Sequence, residues 1–305
     1  MDTLRSQRPL KPSRSETFQY REQVFLYGEE EVPVCYFDSG PSEGPTLLFV
    51  HGLGGNLTHF EYLTGPFAAE GYRVCGLDLP GFGISGKPHR EYTIAYLSGA
   101  VLALMDHLGI DEATLIGHSL GGLVVADVGL RAPQRVERLV LLSSAGLFKM
   151  PLPFRLAART FMRAGWITLA LEKNARRLLD IVLAESNHRT ERFIEQSVTR
   201  PDPRFVGDLA RVMVAAKRDL TGYNVLSEAE RLKMPTLVIW GAKDRLLPFK
   251  EVPAFARKLP DGELEVIEAC GHMSMIENPE RVLARMRAFF ERSSSASPAM
   301  ASRAS

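Results

Sequence analysis

Cysteine is scarce in this chain of 305 residues. The three cysteines, Cys35, Cys75 and Cys270, are odd in number and far apart in the sequence. A disulfide framework or a cysteine-rich zinc site requires closely spaced pairs. The sequence therefore predicts neither structural disulfides nor such a metal site, and we expect no bound cofactor.

An excess of charge and a long apolar run are also lacking. Lysine and arginine number 37 against 36 aspartates and glutamates, which gives a formal net charge of +1. A chain with this balance has no global field to attract a polyanion, so nucleic-acid binding is disfavoured. No apolar stretch approaches the roughly 18 residues of a membrane span, and the first residues lack the apolar centre of a secretory signal. We therefore expect a soluble, cytoplasmic protein.

Short runs rich in β-branched residues alternate with helical patterns through most of the chain. Such alternation is typical of parallel strands joined by crossover helices. The predicted strands are residues 23–27, 32–37, 46–50, 73–78, 114–117, 136–143, 236–240 and 263–267. The predicted helices are residues 58–70, 94–108, 120–131, 252–258 and 279–291. The polar ends, residues 1–20 and 293–305, are expected to be loosely ordered extensions.

One segment interrupts this alternation. Residues 147–232 contain helical patterns and prolines but no convincing strand, and they hold 15 basic against 10 acidic residues. We predict that this segment is an all-helical cap, inserted between two parts of an α/β core formed by residues 21–146 and 233–292.

The strongest chemical signal is the sequence GHSLGG at residues 117–122, between the apolar run ATLI and an apolar helical pattern. It fits the G-x-S-x-G pattern of a nucleophile elbow, in which a serine lies on a strained turn from a strand to a helix. Gly117 and Gly121 occupy the positions that must lack side chains. Ser119 is thus predicted to be a nucleophile at a helix N-terminus, where unpaired N–H groups favour developing negative charge.

A serine hydroxyl is a weak nucleophile and needs a base. Of the seven histidines, His272 fits best, because it follows the last predicted strand in the run ACGHM. A loop at that point returns its side chain to the carboxyl edge of the sheet, where the elbow also lies. His51 and His118 belong to other loops of this edge and are predicted to shape the pocket.

The imidazole requires a carboxylate that holds its tautomer and stabilises its cationic form. Asp244 follows the strand at 236–240 in the run GAKD, which gives the chain order serine, aspartate, histidine. Glu268 and Asp127 are rival acids. Glu268 would have to turn back on its own strand, and Asp127 lies in the helix behind the elbow.

Acyl transfer also requires donors for a tetrahedral oxyanion. The loop HGLGG at residues 51–55 follows a predicted buried strand, and its glycines let the backbone approach a substrate. We predict that the backbone amides of Leu53 and Leu120 are these donors, each contributing about 2.7 to 4 kcal/mol in the transition state.

Five motifs together resemble the α/β-hydrolase family in their order and spacing. They are HGLGG, DLPGFGIS at 78–85, GHSLGG, WGAKD at 240–244 and GH at 271–272. The resemblance extends over residues 23–291. It implies an eight-stranded, mostly parallel sheet flanked by helices, with a helical cap inserted after the sixth strand. Within the family, a serine at 119 in place of aspartate argues against haloalkane dehalogenases and epoxide hydrolases.

Residues 154–163 have arginines at every fourth position and apolar residues near another face, which indicates an amphipathic helix. One interpretation is a lid whose apolar face covers an acyl group while its arginines make weak contact with an anionic membrane surface. The other is core packing on one side and solvated charge on the other. The residues predicted to contact substrate are His118, Phe148, Met150, Phe154, Phe161, Trp166 and Met273.

We therefore predict a serine carboxylesterase or lipase that cleaves short to medium acyl or monoacylglycerol-like esters through an acyl-enzyme. A carbon–carbon bond hydrolase of ring-cleavage products shares the fold and triad, although such enzymes generally have asparagine where this chain has His118. A cofactor-free perhydrolase and a noncatalytic, receptor-like ligand-binding protein would also fit the sequence. The oligomeric state is left open.

Overall fold

The computed structural model describes residues 21–27, 30–198 and 203–295. Eight strands form one sheet in the order β1-β2-β4-β3-β5-β6-β7-β8. Strand β2 is antiparallel to β1 and β4, and the other pairings are parallel. The strands are β1 Arg21–Tyr27, β2 Glu30–Ser39, β3 Thr46–Val50, β4 Arg73–Leu77, β5 Ala113–His118, β6 Val136–Leu142, β7 Thr236–Gly241 and β8 Gly262–Ile267.

The eight strands confirm the predicted fold class, and each predicted strand is found. Strands β3, β5 and β7 are buried along their whole length, as expected for parallel strands covered on both faces. The largest difference is in β2, which extends two residues beyond the prediction at each end. It is longer because it pairs with β1 on one side and with β4 on the other.

Six helices cover the two faces of the sheet. One apolar cluster packs β-sheet side chains against α2, α3 and α8, and a second packs them against α1, α9 and α10. These helices are α1 Glu61–Ala69, α2 Ile94–His107, α3 Leu120–Arg131, α8 Val252–Lys258, α9 Ser274–Glu277 and α10 Pro279–Ser295. The short α9 was not predicted.

The predicted helix at 58–70 begins differently in the structure. A 3-10 turn, Leu57–Phe60, precedes α1. The Asn56 side chain caps this turn by accepting the Thr58 N–H, and Asp78 accepts the Leu57 N–H at 2.8 Å. These side-chain acceptors fix a tighter turn before the α-helix starts.

Residues 147–232, which we call the insert, lie between β6 and β7. The described part of the insert contains no strand, a 3-10 turn at Ala229–Arg231 and four α-helices: α4 Leu152–Phe161, α5 Ala164–Val182, α6 His188–Val198 and α7 Pro203–Gly222. The two ends of the insert meet, because the Val225 N–H donates to the Gly146 carbonyl at 3.0 Å. The insert therefore leaves and rejoins the sheet at one place.

The predicted N-terminal extension, residues 1–20, lies outside the described residues, as do residues 296–305 of the predicted tail. Helix α10 continues to Ser295, so residues 293–295 are helical and do not belong to a separate tail. Within the described ranges, no helix combines the length and apolar character needed to cross a bilayer.

Candidate active site

Ser119 lies at the turn between β5 and α3, in a strained backbone conformation with φ 53° and ψ −117°. This positive φ is uncommon for a residue with a side chain. Two close backbone contacts explain the flanking glycines. A Cβ at Gly117 would lie 2.4 Å from the Gly121 carbonyl oxygen, and one at Gly121 would lie 2.1 Å from that of Val50. The elbow therefore requires glycine at both positions.

The backbone of Ser119 is held by the neighbouring strand. Its N–H donates to the Leu142 carbonyl at 3.0 Å, and its carbonyl accepts the Ala145 N–H at 2.9 Å. Because β6 and the residues after it fix the backbone on both sides of the Cα, the serine is held in its strained conformation. Leu120 begins α3, so its N–H belongs to the first helical turn, which has no intrahelical acceptor.

His272 and Asp244 form a buried hydrogen-bonded pair. The His272 Nδ1 lies 2.8 Å from the Asp244 Oδ2, and the two side chains are 3% and 0% exposed. The other carboxylate oxygen, Oδ1, accepts the N–H groups of Leu246 at 2.8 Å and Leu247 at 3.0 Å. With Nδ1–H donating to the carboxylate, the Nε2 of His272 keeps its lone pair and can accept a proton.

The rival acids lie elsewhere. Asp127 in α3 accepts hydrogen bonds from Arg131 at 2.6 Å and from the Tyr223 hydroxyl. Glu268 is exposed at the end of β8. Among these three carboxylates, Asp244 is the one that the fold pairs with His272.

His118 connects the serine segment to the histidine loop. It immediately precedes Ser119, and its Nε2–H donates to the His272 carbonyl at 3.0 Å. The centroids of the two imidazole rings are 4.7 Å apart. Burial, followed by the proximity of His272, lowers the pKa of His118 well below its ordinary value, so this ring is neutral. The sequence assigned His118 to a substrate pocket, whereas in the structure it also holds the backbone of His272.

The loop predicted to hold the oxyanion lies beside the elbow. A Cβ at Gly52 would lie 3.0 Å from the Cβ of Ser119. The His51 ring braces this loop, since its Nδ1 bonds the Gly52 carbonyl at 2.8 Å and its Nε2 accepts the Leu79 N–H at 2.9 Å. Burial lowers the pKa of His51 to about 4. Gly52, the residue before Leu53, is therefore next to the serine.

The insert lies over this loop. Gly54 has φ +68°, and a Cβ at that position would lie 3.2 Å from a methyl group of Leu209 in α7. Helix α7 is thus packed directly against the segment that follows Leu53.

The described residues contain no group of three or more histidine, cysteine, aspartate or glutamate side chains arranged to hold a metal ion. The site offers groups for acid–base and nucleophilic chemistry, because it contains a serine in a strained turn and an imidazole that is hydrogen-bonded to a buried carboxylate.

Residues 45–279 match the sequence profile of the alpha/beta hydrolase fold. The chain belongs to the α/β-hydrolase family. It is 34% identical over 257 residues to the dihydrolipoyllysine-residue acetyltransferase component of the acetoin cleaving system of Pseudomonas putida, a match that covers 84% of this chain but only 66% of that relative.

Two further proteins are similar to this chain along most of their length. A 2-hydroxy-6-oxo-6-phenylhexa-2,4-dienoate hydrolase of Burkholderia cepacia is 27% identical over 251 residues, which cover 78% of this chain and 85% of that one. The solved structure of a thermophilic esterase from Thermogutta terrifontis has a TM-score of 0.74 and 25% identity to this chain, and the match covers 90% of this chain and 99% of that one. One of these two proteins is thus named as a dienoate hydrolase and the other as an esterase.

The residues of the insert and the histidine loop that were predicted to contact substrate differ in how far they are buried. Phe148 and Met150 are half-buried at the start of the insert. Phe154, Phe161 and Trp166 are 69%, 74% and 77% exposed on α4 and α5. Met273 is buried in the apolar cluster that α9 and α10 form with the sheet. The substrate roles of these residues stay predictions, and core packing accounts for Met273.

The arginines of α4 also differ from the lid interpretation. The guanidinium groups of Arg155 and Arg159 lie next to Gly222, at the C-terminal end of α7. Cations at a helix C-terminus are stabilised by the helix dipole. Packing within the insert therefore explains the orientation of these two residues.

Sequence reasoning missed Glu277. It lies five residues after His272 in α9, and its carboxylate is buried and accepts four backbone N–H groups. The available signal was a charged residue in the apolar run MSMIE. It did not reveal the hydrogen-bond partners, because two of them lie more than 90 residues earlier in the chain.

Asp78 was also missed. It accepts the Leu57 and Ile84 N–H groups, and burial raises its pKa to about 6.

Proposed function

We propose that this protein is a serine hydrolase that cleaves carboxylic esters through an acyl-enzyme intermediate. The observation that supports this most directly is the 2.8 Å bond between the buried His272 Nδ1 and Asp244 Oδ2. The proposed nucleophile is Ser119, which is held in a strained backbone conformation. Its neighbour His118 donates a hydrogen bond to the His272 carbonyl and so links the serine segment to the histidine loop.

In the proposed reaction the Ser119 Oγ attacks the ester carbonyl carbon while its proton moves to the His272 Nε2. The carbonyl electron pair moves onto oxygen, and the amides of Leu53 and Leu120 stabilise the resulting oxyanion. Collapse of this intermediate breaks the bond to the alkoxy group, which takes the proton from Nε2. A water molecule then attacks the acyl-enzyme by the same steps and releases the acid. Asp244 stabilises the imidazolium in both halves.

We propose that the insert acts as a cap over this site and that short to medium acyl or monoacylglycerol-like esters are the substrates. The contact between Leu209 and the Gly54 segment supports the first part, and the half-buried Phe148 and Met150 support an apolar acyl site. The relationship to an esterase of known structure supports ester chemistry.

Hydrolysis of a series of aryl esters of increasing chain length tests the proposal. Wild type should show a preferred chain length, and Ser119→Ala should lose at least about 10⁴-fold in kcat/KM because the nucleophile is removed. The exposed Ser42→Ala is the matched control and should retain wild-type rates. A fluorophosphonate probe should label wild type and Ser42→Ala but not Ser119→Ala. Equal esterase rates in wild type and Ser119→Ala would refute the assignment, and absence of labelling would favour a noncatalytic ligand-binding protein.

A carbon–carbon bond hydrolase is the second candidate, because one relative is named as a hydrolase of 2-hydroxy-6-oxo-6-phenylhexa-2,4-dienoate. Its site would use the same serine, histidine and aspartate. Turnover of a vinylogous diketone at a higher kcat/KM than any ester in the series would replace the ester proposal by this one.

We further propose that the insert contacts an anionic lipid surface. Large apolar side chains are exposed along α4 and α5, and we call this set the apolar surface of the insert. It consists of Leu152, Phe154, Leu156, Phe161, Trp166, Leu169, Leu178 and Ile181. Residues 149–182 around it hold seven basic and two acidic residues, and five of the basic residues remain when Arg155 and Arg159, which lie against the end of α7, are set aside. Two such surfaces would repel each other, whereas an anionic bilayer complements both their apolar and their basic character.

A further inference from the structure

Glu277 is a buried carboxylate that holds backbone groups from two segments far apart in the chain. Its side chain accepts the Gly271 N–H at 3.0 Å and the Met273 N–H at 3.1 Å, the two amides that flank His272. It also accepts the Ala184 N–H at 2.7 Å and the Glu185 N–H at 3.1 Å, both in the loop that follows α5 in the insert. One carboxylate therefore joins the histidine loop to the insert.

Further contacts tie the same two segments together. The His272 N–H donates to the carbonyl of Val182, the last residue of α5, at 2.8 Å. The side chain of Asn187 donates to the Glu277 carbonyl at 3.2 Å. A Cβ at Gly271 would lie 2.8 Å from the Ala184 nitrogen, so the two backbones are in direct contact. The insert thus forms part of the support of His272.

The chemistry of this arrangement makes it hard to replace. A buried carboxylate is costly unless it is fully hydrogen-bonded, and hydrogen bonds to a charged acceptor are roughly twice as strong as neutral ones. Four amide donors converge on Glu277, and the buried N–H groups of Gly271 and Met273 would be left unsatisfied if the carboxylate moved. An amide side chain cannot substitute, because its NH₂ group would face N–H donors.

We propose that Glu277 is a positioning residue that locks the His272 loop to the insert, so that the insert must be docked on the core for the imidazole to face Ser119. This inference rests on the proposed function, since it assigns His272 the role of base. It implies that loosening the insert lowers kcat, and does not act on substrate binding alone.

The test compares Glu277→Gln with Glu280→Gln. Glu280 also joins the insert to α10, through Arg189 at 2.8 Å, but it is exposed and does not contact the histidine loop. Glu277→Gln should lose about 10- to 100-fold in kcat with KM changed less than about threefold, because a small displacement of a catalytic group is enough for such a loss. Glu280→Gln should retain the wild-type kcat.

A second variant removes one of the hydrogen bonds that the insert donates to Glu277. Ala184→Pro removes the N–H that donates to Glu277, and the extended backbone of Leu183 is compatible with a following proline. It should lower kcat in the same direction, and the double variant Ala184→Pro/Glu277→Gln should lose less than the product of the two single losses. A double variant whose loss equals the product of the two single losses, or a kcat unchanged in both single variants, would overturn the inference.

A measurement that needs no substrate separates this inference from the proposed function. The Nδ1–H proton of His272, bonded to Asp244, should give a downfield NMR resonance in wild type and in Glu280→Gln. In Glu277→Gln it should broaden or disappear because the loop loosens. If that resonance persists unchanged in Glu277→Gln, positioning by Glu277 is wrong. If it is lost while wild type hydrolyses no ester, the positioning stands and the proposed function fails.

Discussion

The orientation of single polar groups determines what this site can do. Asp244 divides its two oxygens between two tasks: Oδ1 accepts two backbone amides, and Oδ2 accepts the His272 Nδ1–H. Because the amides fix Oδ1, the atom facing the imidazole is determined by the loop and not by free rotation of the side chain. The tautomer of His272 is set in this way.

Asparagine at position 244 should therefore give the wrong tautomer. In Asp244→Asn the amide oxygen is expected to take the place of Oδ1, which turns the NH₂ group towards His272 Nδ1. The proton of the ring then moves to Nε2, and the histidine cannot accept the serine proton. We expect a loss of about 10⁴-fold in kcat for aryl esters near neutral pH, with folding preserved.

Glu268→Gln is the matched control for Asp244→Asn, because it neutralises the exposed rival acid on the adjacent strand end. Steady-state kinetics and circular dichroism of both variants check the expectation. A large loss in Glu268→Gln with little loss in Asp244→Asn would reverse the assignment of the acid.

At the scale of elements, the insert combines two kinds of surface. Helix α7 packs on the loop after β3, and α5 ends in the backbone contacts that hold His272. By contrast, α4 has no buried residue at all. One part of the insert therefore belongs to the site, and α4 with the exposed side of α5 presents apolar groups to the surroundings.

Tryptophan fluorescence can test the proposed lipid contact of α4 and α5. The chain has two tryptophans, of which Trp166 is 77% exposed in the insert and Trp240 is fully buried in β7. Phosphatidylcholine vesicles that contain phosphatidylglycerol should shift the emission to shorter wavelength, because Trp166 enters an apolar environment. Vesicles of phosphatidylcholine alone should give a smaller shift, since the basic residues then lack a partner.

Phe161→Ser should weaken this vesicle binding, whereas Ile84→Ser should not, since Ile84 is a partly exposed aliphatic residue outside the insert. A blue shift that depends on protein concentration without vesicles would indicate a second copy of the chain as the occupant of this surface. That result would contradict the lipid proposal.

At the scale of the whole molecule, buried ionisable groups couple stability to pH. Burial lowers the pKa values of three histidines, to about 4 for His51, to about 3 for His59 and well below the ordinary value for His118. Asp78 is buried with its pKa raised to about 6. A histidine that stays neutral in the folded state favours unfolding as pH falls below 6.5, because the unfolded chain binds more protons. Asp78 opposes this below pH 6, since the folded state then binds the extra proton.

We expect the three histidines to outweigh Asp78, so the free energy of unfolding should fall between pH 6.5 and 5. Each histidine that is neutral in the folded state and protonated in the unfolded state lowers the free energy of unfolding by about 1.4 kcal/mol for each unit of falling pH. His51→Gln can keep a donor and an acceptor, and it should reduce the slope by about this amount. The exposed His89→Gln should leave the slope unchanged. Urea unfolding at a series of pH values measures both, and a stability that rises on acidification in wild type would contradict the expectation.

Much of the fold was predictable because its signals are local. The buried strands are runs of β-branched residues, and the elbow is marked by Gly117 and Gly121, whose missing side chains leave room for backbone carbonyls. The positions of Ser119, Asp244 and His272 after β5, β7 and β8 were also readable, since parallel strands bring their carboxyl ends to one edge. The start of α1 was missed because its geometry depends on Asp78, which is distant in sequence.

The sequence by itself thus determined the sheet, the helical character of the insert and the residue types at the site, because periodicity and glycine placement act over a few neighbouring residues. Only the tertiary structure decided which carboxylate meets His272, that the His118 ring bonds the His272 backbone, and which apolar residues of the insert stay exposed. It also brought Ala184 to Glu277, 93 residues away in the chain. Such pairs leave no periodic signal, because hydrogen bonding to the backbone depends on where a segment lies and not on its side chains.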